Sequence, residues 1–116
     1  MTSTGTITLY DILPLTHETT IKLYRGGAFG KQAHSEGAIS TALQDGAHAE
    51  GSYTVAAGRA SHAEGDATLA AGVSSHSEGS TSQALEYCAH AEGENTIAAQ
   101  RWTHVEGLGT VANNQA

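Results

Sequence analysis

Six histidine–glutamate pairs are the residues of this sequence whose types and spacing could do chemistry. In every pair His precedes Glu by two positions, and Gly follows Glu directly. Imidazole and carboxylate groups exchange protons, hydrogen-bond to each other and bind transition metals. The histidines are His34, His48, His62, His76, His90 and His104; the glutamates are Glu36, Glu50, Glu64, Glu78, Glu92 and Glu106; the glycines are Gly37, Gly51, Gly65, Gly79, Gly93 and Gly107.

The pairs belong to a repeat of 14 residues that runs six times from residue 33 to residue 116 without insertion or deletion. Within each coil His is second, Glu fourth, Gly fifth, Ser or Thr eighth and Ala tenth. A short fixed period is the sequence signature of a solenoid. Residues 26–30 (GGAFG) fall in register with residues 54–58 (TVAAG), so an incomplete coil is expected before the first full one.

The repeat length selects the elements that position the pairs. Fourteen residues are too few for a coil with a helix, but they suit two strands of about five residues joined by tight turns. Because side chains alternate along a strand, the small residues at positions one, three, eight and ten point inward. His and Glu then form an outward row, which we call the His/Glu stripe. Gly at position five is expected to take the corner of each coil. The sequence therefore predicts an all-β parallel solenoid with coils stacked at roughly 4.8 Å.

Residues 1–32 break the pattern and are predicted to form an N-terminal β segment that caps the solenoid or attaches it to an assembly. Two strands are expected there, within residues 6–12 and 19–24, because these runs alternate in polarity. The solenoid domain is predicted to cover residues 33–116. No cap follows its last coil, so we expect either a longer native chain or cleavage of a downstream domain.

Composition excludes several classes of function. A formal charge of −7 with five basic residues argues against nucleic acid as a partner. No apolar run is long enough for membrane insertion. Cys88 is the only cysteine, so no disulfide framework is expected. Identical pairs in six coils indicate a structural ladder rather than one specialised site, so neither an enzyme nor a cofactor is predicted. The six stripe histidines are candidate metal ligands, but the ladder interpretation is preferred to a metal site.

The repeat resembles the YadA-like head repeats of trimeric autotransporter adhesins over residues 33–116. Those heads commonly read Ser-Val-Ala-Ile-Gly where residues 61–65 read Ser-His-Ala-Glu-Gly, so His and Glu replace two apolar residues. The His-x-Glu-Gly form is similar to the variant found in bacteriophage tail and fibre proteins. The resemblance implies a left-handed parallel β-roll in a homotrimer, with the twelve His and Glu residues of the stripe turned toward the threefold axis.

An oligomer is also expected on physical grounds, because an interior of Ala and Ser buries too little apolar surface to offset the ordering of the chain. A neighbouring chain could pack on either of two outward rows of side chains. One is the His/Glu stripe; the other is the row at positions nine and eleven, which includes Val55, Leu69, Leu85, Ile97 and Val111. If the stripe is covered, interchain His–Glu hydrogen bonds should raise the His pKa values and lower the Glu pKa values. The trimer should then lose stability in acid.

These expectations lead to two functions. The first is a structural trimeric shaft of a phage tail fibre, tail spike or baseplate in the virion, with a contribution to host attachment. Its partners would be other virion tail proteins, bound through the N-terminal segment or the C-terminal end, and a host surface receptor. The alternative is the head of a bacterial surface adhesin that binds host ligands. An adhesin is expected to carry a signal peptide, a coiled-coil stalk and a membrane anchor; none is recognised among these residues, so the virion part is the preferred expectation.

Overall fold

A computed structural model describes residues 26–113, which form a parallel β-solenoid without any helix. No helix in this range could therefore span a membrane. Strands of two and five residues alternate along the chain. They are β1 Gly27–Ala28, β2 His34–Ala38, β3 Thr41–Ala42, β4 His48–Ser52, β5 Val55–Ala56, β6 His62–Asp66, β7 Leu69–Ala70, β8 His76–Ser80, β9 Gln83–Ala84, β10 His90–Glu94, β11 Ile97–Ala98, β12 His104–Leu108 and β13 Val111–Ala112. The strands predicted within residues 6–12 and 19–24 lie outside the described residues.

The strands make two parallel sheets that run the length of the solenoid. The short strands form one sheet in the order β1-β3-β5-β7-β9-β11-β13, and the long strands form the other in the order β2-β4-β6-β8-β10-β12. Every strand pairs with the equivalent strand of the next coil, so that His62 lies between His48 and His76. The predicted 14-residue period is therefore confirmed as the register of both sheets.

The incomplete coil before residue 33 is also confirmed. Gly27 pairs with Thr41 and Ala28 with Ala42. This is the register predicted by aligning residues 26–30 with the later coils of the same chain. The solenoid thus begins inside the segment predicted as a cap or an attachment element.

Small side chains fill the interior, as their alternation predicted. The buried positions are one, three, eight and ten of the coil: the apolar set is Ala42, Ala47, Ala49, Ala56, Ala63, Ala70, Ala84, Ala89, Ala91, Ala98 and Val105, and the polar set is Ser40, Thr54, Ser61, Thr68, Ser75, Ser77, Ser82, Thr96 and Thr103. Hydroxyl groups bond to the backbone from inside: Ser61 Oγ donates to the carbonyl of Gly58 at 2.7 Å, and Ser77 Oγ to that of Ser82 at 2.8 Å. No side chain larger than Thr is fully buried among the described residues. The two sheets are therefore held close together.

The corners of the coil differ from the prediction. Positions seven and fourteen turn the chain, and ten of them are non-glycine residues with φ between 54° and 60°. They are Gln32, Ile39, Tyr53, Ala60, Ala67, Ser74, Thr81, Cys88, Asn95 and Trp102. From Tyr53 onward their amides bond to the preceding coil; for example, the Ala67 N–H donates to the carbonyl of Ser52 at 2.7 Å. This left-handed conformation is unfavourable for residues with a Cβ, so inter-coil bonding holds it in place.

The position-five glycines lie inside the long strands rather than at the corners. Gly65, in β6, has φ of 111°, and a Cβ built on it would lie 2.1 Å from the carbonyl oxygen of Gly79 in the next coil. The same close approach recurs between neighbouring coils from Gly37 to Gly93. Glycine at this position therefore allows the coils to stack closely.

The second strand of each coil has two residues and is shorter than the predicted five.

Candidate functional site

The His/Glu stripe lies on the outer face of the long-strand sheet. His and Glu are the first and third residues of each long strand, so they share a face, while the residue between them points into the interior. From His48 to Glu92 the stripe side chains are 31–39% exposed. At the first coil His34 and Glu36 are 58% and 63% exposed. The chain thus half-buries a row of ionisable groups that an isolated strand would leave in water.

The imidazole rings form a continuous stack. Neighbouring ring centroids are 4.5–4.8 Å apart, and the four pairs from His48 to His104 have interplanar angles of 2–23°. His34 and His48 meet edge to face, at 72°. Since this spacing equals the distance between coils, the sheet register itself sets the stack.

Each imidazole faces a carboxylate of its own chain without forming a hydrogen bond. The Nε2 to Oε distances within the first five pairs are 3.4–3.9 Å, and His104 Nε2 lies 3.5 Å from Glu92 of the preceding coil. These distances are longer than a hydrogen bond of normal geometry. The Nε2 atoms of His48, His62, His76 and His90 are buried and have no hydrogen-bond partner. A buried polar atom without a partner costs free energy, so these four atoms are the unusual feature of the stripe.

The carboxyl groups of neighbouring coils shift one another's pKa values along the stripe. Hydrogen bonding to Glu78 and Glu50, together with desolvation, raises the pKa of Glu64 to about 7. Hydrogen bonds from Glu64 and Glu36 lower the pKa of Glu50, and hydrogen bonds from Glu64 and Glu92 lower that of Glu78. From Glu50 to Glu92 the pKa values are therefore lowered and raised in turn along the stripe.

The pKa values of His62 and His90 shift in the direction opposite to the one expected in a trimer. Burial, followed by the neighbouring imidazoles, lowers the pKa of His62 and of His90. In one chain the cost of desolvating the imidazolium thus exceeds the attraction of the carboxylates. The expected increase rests on interchain hydrogen bonds, which stay a prediction.

A groove runs beside the glutamates along five coils. Its walls are the Glu and Gly columns from Glu36 and Gly37 to Glu92 and Gly93. Because no glycine carries a side chain, the carboxyl groups are accessible from this side. The groove adds an open acidic surface to the half-buried imidazole stack.

Four sets of two histidines and one glutamate could hold a metal ion, since the ligand atoms within each set lie within 4.8 Å of one another. They are His34–Glu36–His48, His48–Glu50–His62, His76–Glu78–His90 and His90–Glu92–His104. The sequence placed the six histidines in one row but could not show which of them meet around one carboxylate.

A second cluster lies at the corner of the last coils. The Arg101 guanidinium carbon is 5.6 Å from the centre of the Tyr87 ring and 5.2 Å from that of Trp102, and the two aromatic residues are 43% and 51% exposed. Trp102 turns the chain at position fourteen, its ring centre lies 6.4 Å from that of Tyr87, and Arg101 lies beside both rings. Cys88 lies beside Tyr87 as a half-buried free thiol. This corner exposes cationic and aromatic groups away from the His/Glu stripe.

No protein-family model, curated protein or solved structure matches the chain. The family resemblance described above therefore rests on the residues of the repeat.

Proposed function

We propose that this chain is a homotrimeric structural shaft of a bacteriophage tail fibre, tail spike or baseplate, and not an enzyme. The observation that carries the proposal is the His/Glu stripe, with its buried Nε2 atoms of His48, His62, His76 and His90 that lack partners in one chain. A stripe that repeats identically through six coils suits an interface along the whole shaft better than one local site.

The energetics of the interior support association. Ala, Ser and Thr dominate the interior, and Thr is its largest fully buried side chain. Apolar burial contributes about 25 cal/mol per Å², so methyl groups and hydroxyls give little per ordered residue. Contacts outside the roll must add to this stabilisation, as in other narrow folds that depend on oligomerisation.

The stripe offers the donors and acceptors that such contacts need. An imidazole Nε2–H can donate to a carboxylate of a neighbouring chain, and each carboxylate can accept more than one hydrogen bond. Because these Nε2 atoms are buried in the single chain, each ring must turn outward before a carboxylate of a neighbouring chain around the axis can accept a hydrogen bond from it. The row at positions nine and eleven would then face outward.

The location in a virion rests on the resemblance of the His-x-Glu-Gly coils to phage tail and fibre repeats. In this role the solenoid sets length and stiffness, while the ends of the shaft bind other tail proteins. The adhesin alternative is favoured by one observation, the exposed corner of Tyr87, Arg101 and Trp102, since such groups bind ligands at protein surfaces.

The association is tested by light scattering coupled to size exclusion. We expect a molar mass near three times the 11.9 kDa of one chain. The Glu64→Arg variant should be monomeric, because it places a cation in the covered stripe. The matched variant Leu69→Arg changes the other outward row in the same coil and should stay trimeric. A trimer that survives Glu64→Arg but not Leu69→Arg would overturn the choice of stripe.

The location is tested separately with an antibody against the chain. Labelling of phage tails in electron micrographs of the source culture is expected. Labelling of the bacterial surface in the absence of particles would instead establish the adhesin alternative.

A further inference from the structure

The four unpartnered Nε2 atoms fall into two ligand sets that share no residue. His48 and His62 flank Glu50, and His76 and His90 flank Glu78. All six side chains are half-buried. The other two sets each reuse His48 or His90 and add an exposed histidine from an end coil, so at most two of the four sets can be occupied at once.

The donor atoms suit a transition metal. Two imidazole nitrogens and one carboxylate oxygen are a common set for Zn²⁺, Co²⁺, Ni²⁺ and Fe²⁺, whereas Ca²⁺ and Mg²⁺ prefer oxygen ligands alone. When Nδ1 carries the ring proton, Nε2 presents a free lone pair. An ion would therefore supply the partner that each buried Nε2 lacks.

One histidine–glutamate distance in each site is close to the spacing of ligands around a bound ion, and the other ligand atoms of each set lie within 4.8 Å. His48 Nε2 lies 3.8 Å from the Glu50 carboxylate, and His76 Nε2 lies 3.6 Å from that of Glu78. Ligand atoms on a tetrahedral ion with bonds of about 2.0–2.1 Å are roughly 3.3 Å apart. The paired rings are parallel, at 4° and 2°, so both must tilt toward the ion. The open groove beside the carboxylates gives the ion a path of entry.

We propose that each chain binds two divalent transition-metal ions, one at His48–Glu50–His62 and one at His76–Glu78–His90. Each ion has three protein ligands, and water completes its coordination. The two ions are two coils apart, with Glu64 between them, which limits their mutual repulsion. The ligands of each ion belong to one chain. An Nε2 atom that binds an ion cannot also donate to a neighbouring chain, so metal binding at these four histidines replaces the interchain hydrogen bonds proposed for the metal-free trimer.

The test is equilibrium dialysis of the metal-free full chain against Zn²⁺, with bound metal measured by mass spectrometry, and a parallel titration with Co²⁺ followed by its visible absorption. We expect two ions per chain and a Co²⁺ spectrum typical of nitrogen and oxygen ligands at low coordination number. Binding of fewer than one ion per chain at micromolar free metal would overturn the proposal, as would one ion shared by three chains.

Histidine variants locate the sites. His48→Ala removes both sets at one end, and His90→Ala removes both at the other, so each should reduce the count from two ions to one. The matched double variant His34→Ala with His104→Ala removes two stripe histidines outside the proposed sites and should keep two ions. Loss of binding in this control would overturn the assignment. Far-UV circular dichroism checks the fold of each variant. The number of metal ions bound per unaltered chain tests the proposal even if a variant unfolds.

Discussion

Replacement of Gly65 by Ala should destabilise the solenoid far more than the same replacement at Gly107. The two glycines occupy position five of different coils and have nearly the same φ, 111° and 114°. A Cβ on Gly65 would lie 2.1 Å from the carbonyl oxygen of Gly79. At Gly107 the nearest atom to a Cβ is Thr110 Cγ2, at 3.9 Å. Comparison of the Gly65→Ala and Gly107→Ala variants therefore separates the free-energy cost of close stacking from that of the backbone conformation.

The magnitude follows from the distance between coils. Ordinary contact begins at 3.4 Å, so the Gly79 carbonyl oxygen must move by about 1.3 Å. Nearby inter-coil bonds, such as His62 N to Ser75 O at 2.9 Å, would lengthen beyond hydrogen-bonding distance. Two lost hydrogen bonds cost about 2 kcal/mol, and forced overpacking costs about 1–3 kcal/mol. Both variants share the cost of the backbone conformation, about 1–3 kcal/mol. Gly65→Ala should thus lose about 3–5 kcal/mol more than Gly107→Ala.

The assay is urea unfolding of both variants, followed by far-UV circular dichroism at one pH and one chain concentration. Since domains are stable by about 5–15 kcal/mol, the Gly65 variant should unfold at a much lower urea concentration or fail to fold. Equal losses of stability in the two variants would refute the claim that glycine is needed here for close stacking.

Two further predictions concern the corners and the carboxyl column. Ala67→Gly should raise the free energy of unfolding by about 0.5–1 kcal/mol in thermal unfolding, because Ala67 has φ of 58°. The matched variant Ala71→Gly, at a position without positive φ, should lower it by a similar amount. Destabilisation by both variants would contradict the argument about corners. In the single chain, the raised pKa of Glu64 gives stability that is complete below the unfolded pKa near 4.5 and is lost as pH rises through about 7. The stability of the monomeric chain should therefore fall by about 1 kcal/mol, after allowance for solvent screening, between pH 5 and pH 8, whereas interchain hydrogen bonds in a trimer would lower the Glu pKa values and move the loss to acid. Glu64→Gln stays neutral, so it should remove this fall in stability when urea unfolding is measured at the two pH values. An unchanged fall in the variant would argue against the raised pKa of Glu64. The lowered pKa values of Glu50 and Glu78 act with the opposite sign and reduce stability only as pH falls toward and below 4.5.

The sequence was sufficient to predict the repeat, the interior and the outward face. Period 14 and the small residues at alternate positions leave few ways to bury side chains, and the incomplete coil at Gly27–Ala28 followed from register alone. The corners were not predictable, because Ile39, Tyr53 and Trp102 are residue types that ordinarily avoid positive φ. Their conformation results from bonds between coils rather than from local preference.

The chemistry of the stripe was only partly predictable. Its residues are evident from the sequence, but the unpartnered Nε2 atoms and the alternating pKa values depend on distances of a few tenths of an ångström between side chains in neighbouring coils. Leu69, in the competing outward row, is half-buried like the stripe, so burial in one chain does not choose between the two interfaces.

A crystal structure of the full chain at neutral pH tests the central claim most directly. For the metal-free protein the account predicts three chains around a threefold axis, with the Nε2 atoms of His62 and His76 within 3.2 Å of a carboxylate of a neighbouring chain. A structure in which the His/Glu stripe faces solvent in a single chain, with these atoms still unpartnered, would contradict it.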